Sequence, residues 1–166
     1  MTAEQVPGLV LVVLVVALAW WGMRRGWQGR SRRQAYLPAP QVPPADPGQP
    51  LARAEGLYVG TVLAEQWLER VVAHGLGARA GATLTVFPSG LLLERDGAPA
   101  LWVPDAALRA CRRDTGLAGR VTETGGLVVW TWNLGDTVLD SGFRPRHAVD
   151  TDTLVSALDV VCQGVA

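Results

Sequence analysis

The sequence is poor in the residues that most often build metal and redox sites. It has no lysine, two histidines and two cysteines among 166 residues, and all fifteen basic residues are arginine. A metal site would need His74, His147 and added carboxylates, and the ligand-like spacing from His147 to Asp150 is more typical of a loop that opens a helix. Cys111 and Cys162 are predicted to be small apolar fillers. We therefore expect no metal centre and no cofactor.

Catalytic motifs are missing as well. Ser89 and Ser141 lie in turn-like contexts and not in a nucleophile elbow. The glycines of segment 75–81 imitate a dinucleotide-binding fingerprint. However, they follow a helix-like run and open a strand-like run, which reverses the order that this motif requires. The sequence therefore predicts a protein that is not an enzyme.

The chain also lacks a concentrated basic domain. Residues 1–56 hold six arginines and three acidic residues, whereas residues 57–166 hold nine arginines and twelve acidic residues. Proteins that bind nucleic acid usually carry a strongly basic face. The mildly acidic C-terminal part therefore predicts that nucleic acid is not a partner.

One long hydrophobic run is present, and it lies near the N-terminus. Residues 6–23 read VPGLVLVVLVVALAWWGM, eighteen residues without a charge. A helix of this length reaches roughly 27 Å, close to the hydrocarbon thickness of a bilayer. A cleavable signal peptide would need positive charge before the run, and a buried core helix should show a polar face. We expect residues 1–23 to be a transmembrane anchor with its helix over 6–23.

Basic residues follow this run directly and give it an orientation. The positive-inside rule places such a flank in the cytoplasm. The sequence therefore predicts a single-pass protein of the inner (plasma) membrane, with its N-terminus outside and its C-terminal domain in the cytoplasm. The same basic residues could attract anionic lipids or could serve only to fix the topology. They are Arg24, Arg25, Arg30, Arg32 and Arg33.

Proline dominates the stretch that comes next. Residues 35–50 contain six prolines, a density that excludes helix and central strand and favours an extended spacer. We expect residues 24–56 to be a basic juxtamembrane segment followed by a proline-rich linker. A proline-rich ligand for an adaptor domain is the alternative interpretation.

Short strand-like runs separated by turn residues fill residues 57–166. The first run is GLYVGTVL, and the segment after it places Leu63, Trp67 and Val71 at helical spacing, which predicts a short helix ending at Gly75. Further strands are expected over 82–87, 90–95, 99–103, 108–114, 119–123, 126–133 and 136–143.

The last element is predicted to be an amphipathic helix. Residues 150–152 form an acidic helix start, and Leu154, Leu158 and Val161 share one face. About seven strands closed by one C-terminal helix is the order of elements in a pleckstrin-homology-like barrel or sandwich. The fold class that we predict is therefore an N-terminal transmembrane helix plus a mainly-β domain of this kind over residues 57–166.

The whole chain resembles the actinobacterial single-pass membrane proteins that carry a bacterial pleckstrin-homology-like domain. The resemblance implies an interaction or assembly module and no known activity. It rests on the N-terminal run and on the segments Tyr58-Val59-Gly60-Thr61, His74-Gly75-Leu76-Gly77, Trp130-Thr131-Trp132, Gly135-Asp136-Thr137 and Asp140-Ser141-Gly142-Phe143-Arg144.

One departure from the wider fold concerns lipid binding. Eukaryotic pleckstrin-homology domains that bind phosphoinositides place several basic residues in the first hairpin, and the corresponding region here offers only Arg70 and Arg79 among Glu65 and Glu69. Inositol-lipid binding is therefore not predicted.

The basic residues within the domain concentrate at Arg109, Arg112 and Arg113. They predict either a patch for anionic lipid or an acidic partner, or a solvated strand face. We expect a membrane-tethered, non-enzymatic interaction or scaffold domain that recruits an unknown protein or a lipid headgroup at the inner leaflet. The alternative is an accessory subunit of a membrane transport or export system.

Overall fold

The computed structural model describes residues 12–24, 36–117, 119–121 and 126–163. The chain divides into two compact units, Met1–Tyr36 and Leu37–Ala166. We describe each unit by itself.

The first unit contains one helix, α1, over residues 12–24. At a rise of 1.5 Å per residue this helix is about 20 Å long, whereas a bilayer core is about 30 Å thick. Within the described part of the chain, no helix is both long and apolar enough to cross a membrane. The predicted transmembrane helix over 6–23 is therefore wrong. The alternative role in transport relied on the same helix.

The second unit is built on one antiparallel sheet of eight strands with a helix at its C-terminal end. The strand order is β5-β4-β3-β1-β10-β9-β6, and β2 pairs with β1 beside this path. A separate two-stranded hairpin, β7–β8, follows β6. The elements are β1 Ala52–Leu63, β2 Gln66–Arg70, β3 Ala80–Phe87, β4 Gly90–Arg95, β5 Ala98–Pro104, β6 Leu108–Asp114, β7 Gly116–Leu117, β8 Arg120–Val121, β9 Leu127–Leu134, β10 Thr137–Pro145 and α2 Ala148–Gln163.

The long strand β1 joins the two halves of the sheet. Its first part pairs with β3 and its second part pairs with β10, and both partners are paired over Gly56–Tyr58. A side chain at Gly56 would collide with the backbone of Arg144 and Pro145, so this crossing requires glycine. The sheet can therefore curl at β1, and its two ends are the edge strands β5 and β6.

The core fills the inner face of the curled sheet, and α2 covers it. Trp130, Phe143 and Leu139 are fully buried from the sheet, and Leu154 and Leu158 pack against them from α2. A smaller cluster lies on the outer face, where Leu117 of β7 covers Val59, Val62, Leu127 and Val129. Alternating burial along the strands explains why sequence periodicity located most of them.

Most predicted strands are confirmed, and α2 is confirmed with an earlier start at Ala148. The predicted helix before Gly75 is wrong, because residues 66–70 form β2, which turns back onto β1 through the pair Leu63 and Gln66. Only a three-residue 3-10 helix, Ala73–Gly75, is present there. Of the predicted strand 119–123, β8 forms Arg120–Val121, and residues 122–123 lie outside the described residues.

The proline-rich segment lies against the domain, contrary to the prediction of a linker. Leu37 is 3% exposed and belongs to the core. The imidazole Nε2 of His74 is 2.9 Å from the Leu37 carbonyl oxygen, Gln41 forms a β-bridge with Trp102, and Ser89 Oγ donates to the carbonyl of Pro47 at 2.9 Å. Hydrophobic and polar anchors therefore hold residues that composition alone describes as a spacer.

Candidate interaction site at the open edge of the sheet

The edge strand β6 is the one place where the main sheet ends on a strand rich in arginine. It pairs with β9 on one side. No strand pairs with its other side within the described part of the chain. Unpaired strand edges present rows of N–H and C=O groups that can accept another strand. The direction of each backbone group therefore decides what β6 offers.

The β9–β10 turn sets these directions. Leu134 faces Thr137 across a two-residue turn whose first residue, Gly135, has φ of 61°. This is the glycine position of a type II′ hairpin, whose flanking residues exchange both backbone hydrogen bonds. The next residue of β10, Val138, accordingly points its carbonyl away from β9, and Ala64 N donates to it at 3.1 Å.

Alternation along β9 extends this pattern to β6. Backbone groups of Leu134 and every second residue before it point towards β10, so those of Thr131 and Val129 point towards β6. Their partners on β6 are Ala110 and Arg112. The N–H and C=O groups of Cys111 and Arg113 therefore point outwards from the sheet.

Nothing in the described part of the chain forms a hydrogen bond with these outward groups of Cys111 and Arg113. The strand ends at Asp114, whose Oδ1 accepts from the N–H groups of Thr115 (2.7 Å) and Gly116 (3.3 Å). The open edge therefore spans a short stretch with two outward donors and two outward acceptors.

Helix α2 lies beside this strand and fixes the side chain of Cys111. The thiol donates to Asp159 Oδ1 at 2.9 Å and approaches the Val155 carbonyl at 3.5 Å. Burial, and next the hydrogen bond to the Asp159 carboxylate, raise the pKa of the Cys111 thiol well above its usual range. Burial followed by Asp159 also raises the pKa of Cys162. Both thiols are therefore packing groups, and the prediction that they are apolar fillers fits these surroundings.

Arg112 lies on the opposite face of β6 and is held by two carboxylates. Its Nη2 donates to Asp140 Oδ2 at 2.8 Å, its Nε to Asp114 Oδ2 at 3.2 Å, and its Nη1 to Thr131 Oγ1 at 3.2 Å. Thr131 Oγ1 donates to Asp140 Oδ1 at 2.6 Å. Burial lowers the pKa of Arg112, but the hydrogen bond and charge of Asp140 outweigh this effect and raise it. This guanidinium is committed to the fold.

The predicted arginine patch therefore does not form a single free cationic surface. Arg113 makes an ion pair with Asp152 of α2, and Arg112 points to the other face. Arg109 is exposed and has no carboxylate partner among the residues that the structure describes. Of the five N-terminal arginines, Arg24 lies 5.6 Å from the ring of Trp20. Arg25, Arg30, Arg32 and Arg33 lie outside the described residues. Lipid or partner binding by these arginines stays a prediction.

The sequence motifs around Tyr58 and Trp132 build a buried hydrogen-bond chain. Trp132 Nε1 donates to Ser141 Oγ at 2.9 Å, and Ser141 Oγ lies 2.6 Å from Thr61 Oγ1. Thr61 Oγ1 lies 2.5 Å from the Tyr58 hydroxyl, which donates to the Leu76 carbonyl at 2.7 Å. Because tyrosine has one proton to give, Thr61 must donate to Tyr58 and Ser141 must donate to Thr61. The motif residues thus tie together β9, β10, β1 and the loop at Leu76.

The loop at Leu76 is held by three successive carbonyls. Arg95 Nη1 donates to Gly75 O at 2.9 Å, Tyr58 to Leu76 O, and Arg70 Nη1 to Gly77 O at 3.0 Å. Arg95 is 8% exposed and lies 5.5 Å from the Tyr58 ring. The basic residue Arg70, which the sequence comparison with phosphoinositide-binding domains singled out, therefore binds its own backbone. Sequence reasoning missed Arg95, since a lone arginine at a strand end carries no signal for burial.

Comparison with known proteins agrees with this architecture. A sequence model described as bacterial PH domain-like matches residues 37–159. The chain therefore belongs to the bacterial PH domain-like family, and such PH-like domains typically act as non-enzymatic interaction modules for proteins or lipids. The match begins at Leu37, the first core residue of the compact unit. No curated protein matches the chain.

Solved structures show similarity at the level of the fold. A chain in "The 8S snRNP Assembly Intermediate" has a TM-score of 0.51 at 14% identity, covering 76% of this chain and 91% of that one. The C-terminal phosphotyrosine interaction domain of APBB2 from mouse has a TM-score of 0.48 at 10% identity, covering 76% and 97%. We take the first as support for the fold only and base no argument on the second. In the described residues, no group of three or more potential metal ligands comes together.

Proposed function

We propose that this domain is a protein-interaction module that takes up an extended segment of a partner protein along the open edge of β6, beside α2. The observation that carries the proposal is the pair of outward-facing backbone positions, Cys111 and Arg113, at the end of an otherwise paired sheet. An added strand would receive two N–H donors and two C=O acceptors from β6. Strand addition of this kind supplies affinity through the main chain and specificity through alternate side chains.

The distribution of charge supports a protein partner over a lipid headgroup. Arg112 and Arg113 are compensated by Asp140, Asp114 and Asp152, so little positive charge remains for a phosphate. Arg109 is the exposed cation of this strand, and we propose that it selects an acidic side chain on the partner segment. A partner would then read one charge at the start of β6 and the backbone along the rest.

Proline substitution can separate the two sides of the strand, because proline removes a backbone N–H. Arg113→Pro removes an outward N–H and should leave the sheet intact, since proline is tolerated at strand edges. Arg113→Ala is the matched control, because it also loses the ion pair with Asp152 but keeps the N–H. We expect Arg113→Pro and Arg113→Ala to unfold at similar urea concentrations.

Binding then distinguishes these two variants. Partners would be captured from native extract by the full chain and identified by mass spectrometry. A relevant partner should bind Arg113→Ala and lose most of its affinity for Arg113→Pro. It should also slow amide hydrogen exchange at Cys111 and Arg113. A partner that binds both variants equally, without protecting these amides, would refute strand addition at β6.

A further inference from the structure

The opposite edge of the sheet is covered by the chain itself. We call residues 37–50 the strap. The strap begins with Leu37 buried in the core. It pairs with the β5 edge through Gln41 and Trp102, and later anchors through Pro47 and Ser89. At its far end Leu51 N donates to Val86 O at 2.8 Å, where β1 begins.

The topology determines the path of the strap. Gln41 lies beside β5, whereas Leu51 joins β3, and β4 separates these two strands. The inner face of the sheet is filled by the core, so the strap between these points must cross the outer face of β5, β4 and β3. The residues on that face should therefore be covered, and they are.

Three outward-facing residues form a shelf beneath this path. Thr85 and Phe87 alternate with the core residues Leu84 and Val86 on β3, and Trp102 alternates with core residues on β5. They are only 5%, 8% and 4% exposed although they belong to neither hydrophobic cluster. The rings of Phe87 and Trp102 lie 6.2 Å apart. The shelf is an aromatic surface that a proline-rich segment covers.

The strap has the character of a docked ligand. Leu37, Pro40 and Pro43 are its less exposed residues in the first half, whereas Val42 is 86% exposed. A spacing of three matches the period of a polyproline II helix. Proline-rich segments in this conformation bind aromatic-lined surfaces with a small entropy cost. The contacts between strap and shelf are thus those of peptide recognition, made within one chain.

A hinge separates the strap from the first strand. Gly48 has φ of 91°, a β-carbon placed on it would have no neighbour within 4 Å, and residues 48–50 are exposed. Its N–H is bonded locally, to Asp46 Oδ1 at 3.0 Å. Nothing that holds these three residues would be lost if the strap pointed away from its own domain.

We propose that the shelf is a binding site for a proline-rich extended segment, and that the strap of a second copy of this chain occupies it in a reciprocal exchange. A second copy presents the same segment, so every contact made within one chain can be made between two. The local concentration favours the intrachain arrangement for the natural hinge. Exchange therefore grows with protein concentration and with any change that prevents the strap from folding back.

Shortening the hinge tests the exchange most sharply. Deletion of Gly48 and Gln49 prevents the strap from reaching its own shelf while both binding surfaces stay intact. We expect the shortened full-length chain to sediment as a dimer, and a matched chain with three residues inserted after Gly48 to sediment as the natural protein does at low concentration. A folded, shortened chain that stays monomeric at the highest soluble concentration would overturn the proposal.

Complementary variants provide a second test that does not alter the hinge. Leu37→Asp damages the strap and keeps the shelf, whereas Trp102→Ala damages the shelf and keeps the strap. A mixture should form a complex containing one of each, measured with two different affinity tags, while neither variant associates with itself. If both variants are folded by circular dichroism and the mixture yields no mixed complex, the exchange is refuted.

Discussion

The two ends of the sheet solve the same problem in different ways. At β5 the chain covers its own edge and outer face with the strap, which is anchored by Leu37 and by the bridge of Gln41 to Trp102. At β6 the edge ends in arginines and shows two unpaired backbone positions, Cys111 and Arg113. Exposed edges invite unwanted pairing unless they are covered or charged.

The difference indicates where the protein invests stability and where it keeps a surface available. The β5 end buries an aromatic pair and a leucine. The β6 end neutralises its arginines with carboxylates and leaves the backbone accessible. Substitutions at the first end should therefore act on folding, and substitutions at the second should act on binding.

The largest effect is expected at the strap. Leu37→Ala removes a side chain that is 3% exposed, and truncation of a buried leucine costs about 2–5 kcal/mol. Urea denaturation of the full chain should show a loss of this size in the free energy of unfolding. Val42→Ala, at a position 86% exposed on the same strap, should change it by less than about 0.5 kcal/mol. Equal effects of the two substitutions would show that the strap is not anchored through Leu37.

A smaller loss is expected at the carboxylate that holds Arg112. Asp140→Ala removes the acceptor for Arg112 and Thr131, and hydrogen bonds to charged groups contribute about 1.5–3 kcal/mol when buried. Because Arg112 is partly exposed, we expect a loss near the lower value. Glu94→Ala on the exposed side of β4 is the control. A neutral Asp140→Ala variant would show that Arg112 is free to bind a ligand.

The central strand between the two ends supplies a pH-dependent prediction. Burial raises the pKa of Tyr58 to about 12 from the ordinary value of about 10. The stabilisation from its protonated hydroxyl is complete below pH 10 and is lost as pH rises towards 12, because the unfolded chain releases the proton first. In Tyr36→Phe, which leaves one tyrosine, absorbance at 295 nm should titrate with a midpoint near 12. A midpoint near 10 would contradict the buried hydrogen-bond chain.

Much of the sheet is predictable from the sequence because its strands alternate between buried and exposed residues. GLLLER and LRACRRD coincide with β4 and β6, and the apolar face of 154–161 locates α2. The fold class follows from this order of elements, since each turn signal separates two consecutive strands. The prediction fails at residues 64–75, where a short hairpin and a 3-10 helix share the apolar spacing of a helix.

Two other failures have a different physical origin. The run 6–23 satisfies the hydrophobicity criterion for a span, but the described helix begins at residue 12 and is too short. The strap contains too much proline to pair regularly, and composition cannot show that Leu37 reaches the core. The open edge was also out of reach, because the arginines of β6 indicate charge whereas the site consists of backbone groups whose direction depends on the β9–β10 turn.

Amide hydrogen exchange of the free full-length chain, resolved residue by residue by NMR, tests the open edge most directly. The amides of Cys111 and Arg113 should exchange rapidly because they point outwards, while the amide of Arg112 between them should be strongly protected by its bond to β9. Slow exchange at all three positions would show that the outer edge of β6 is already paired, and strand addition at this site would then be excluded.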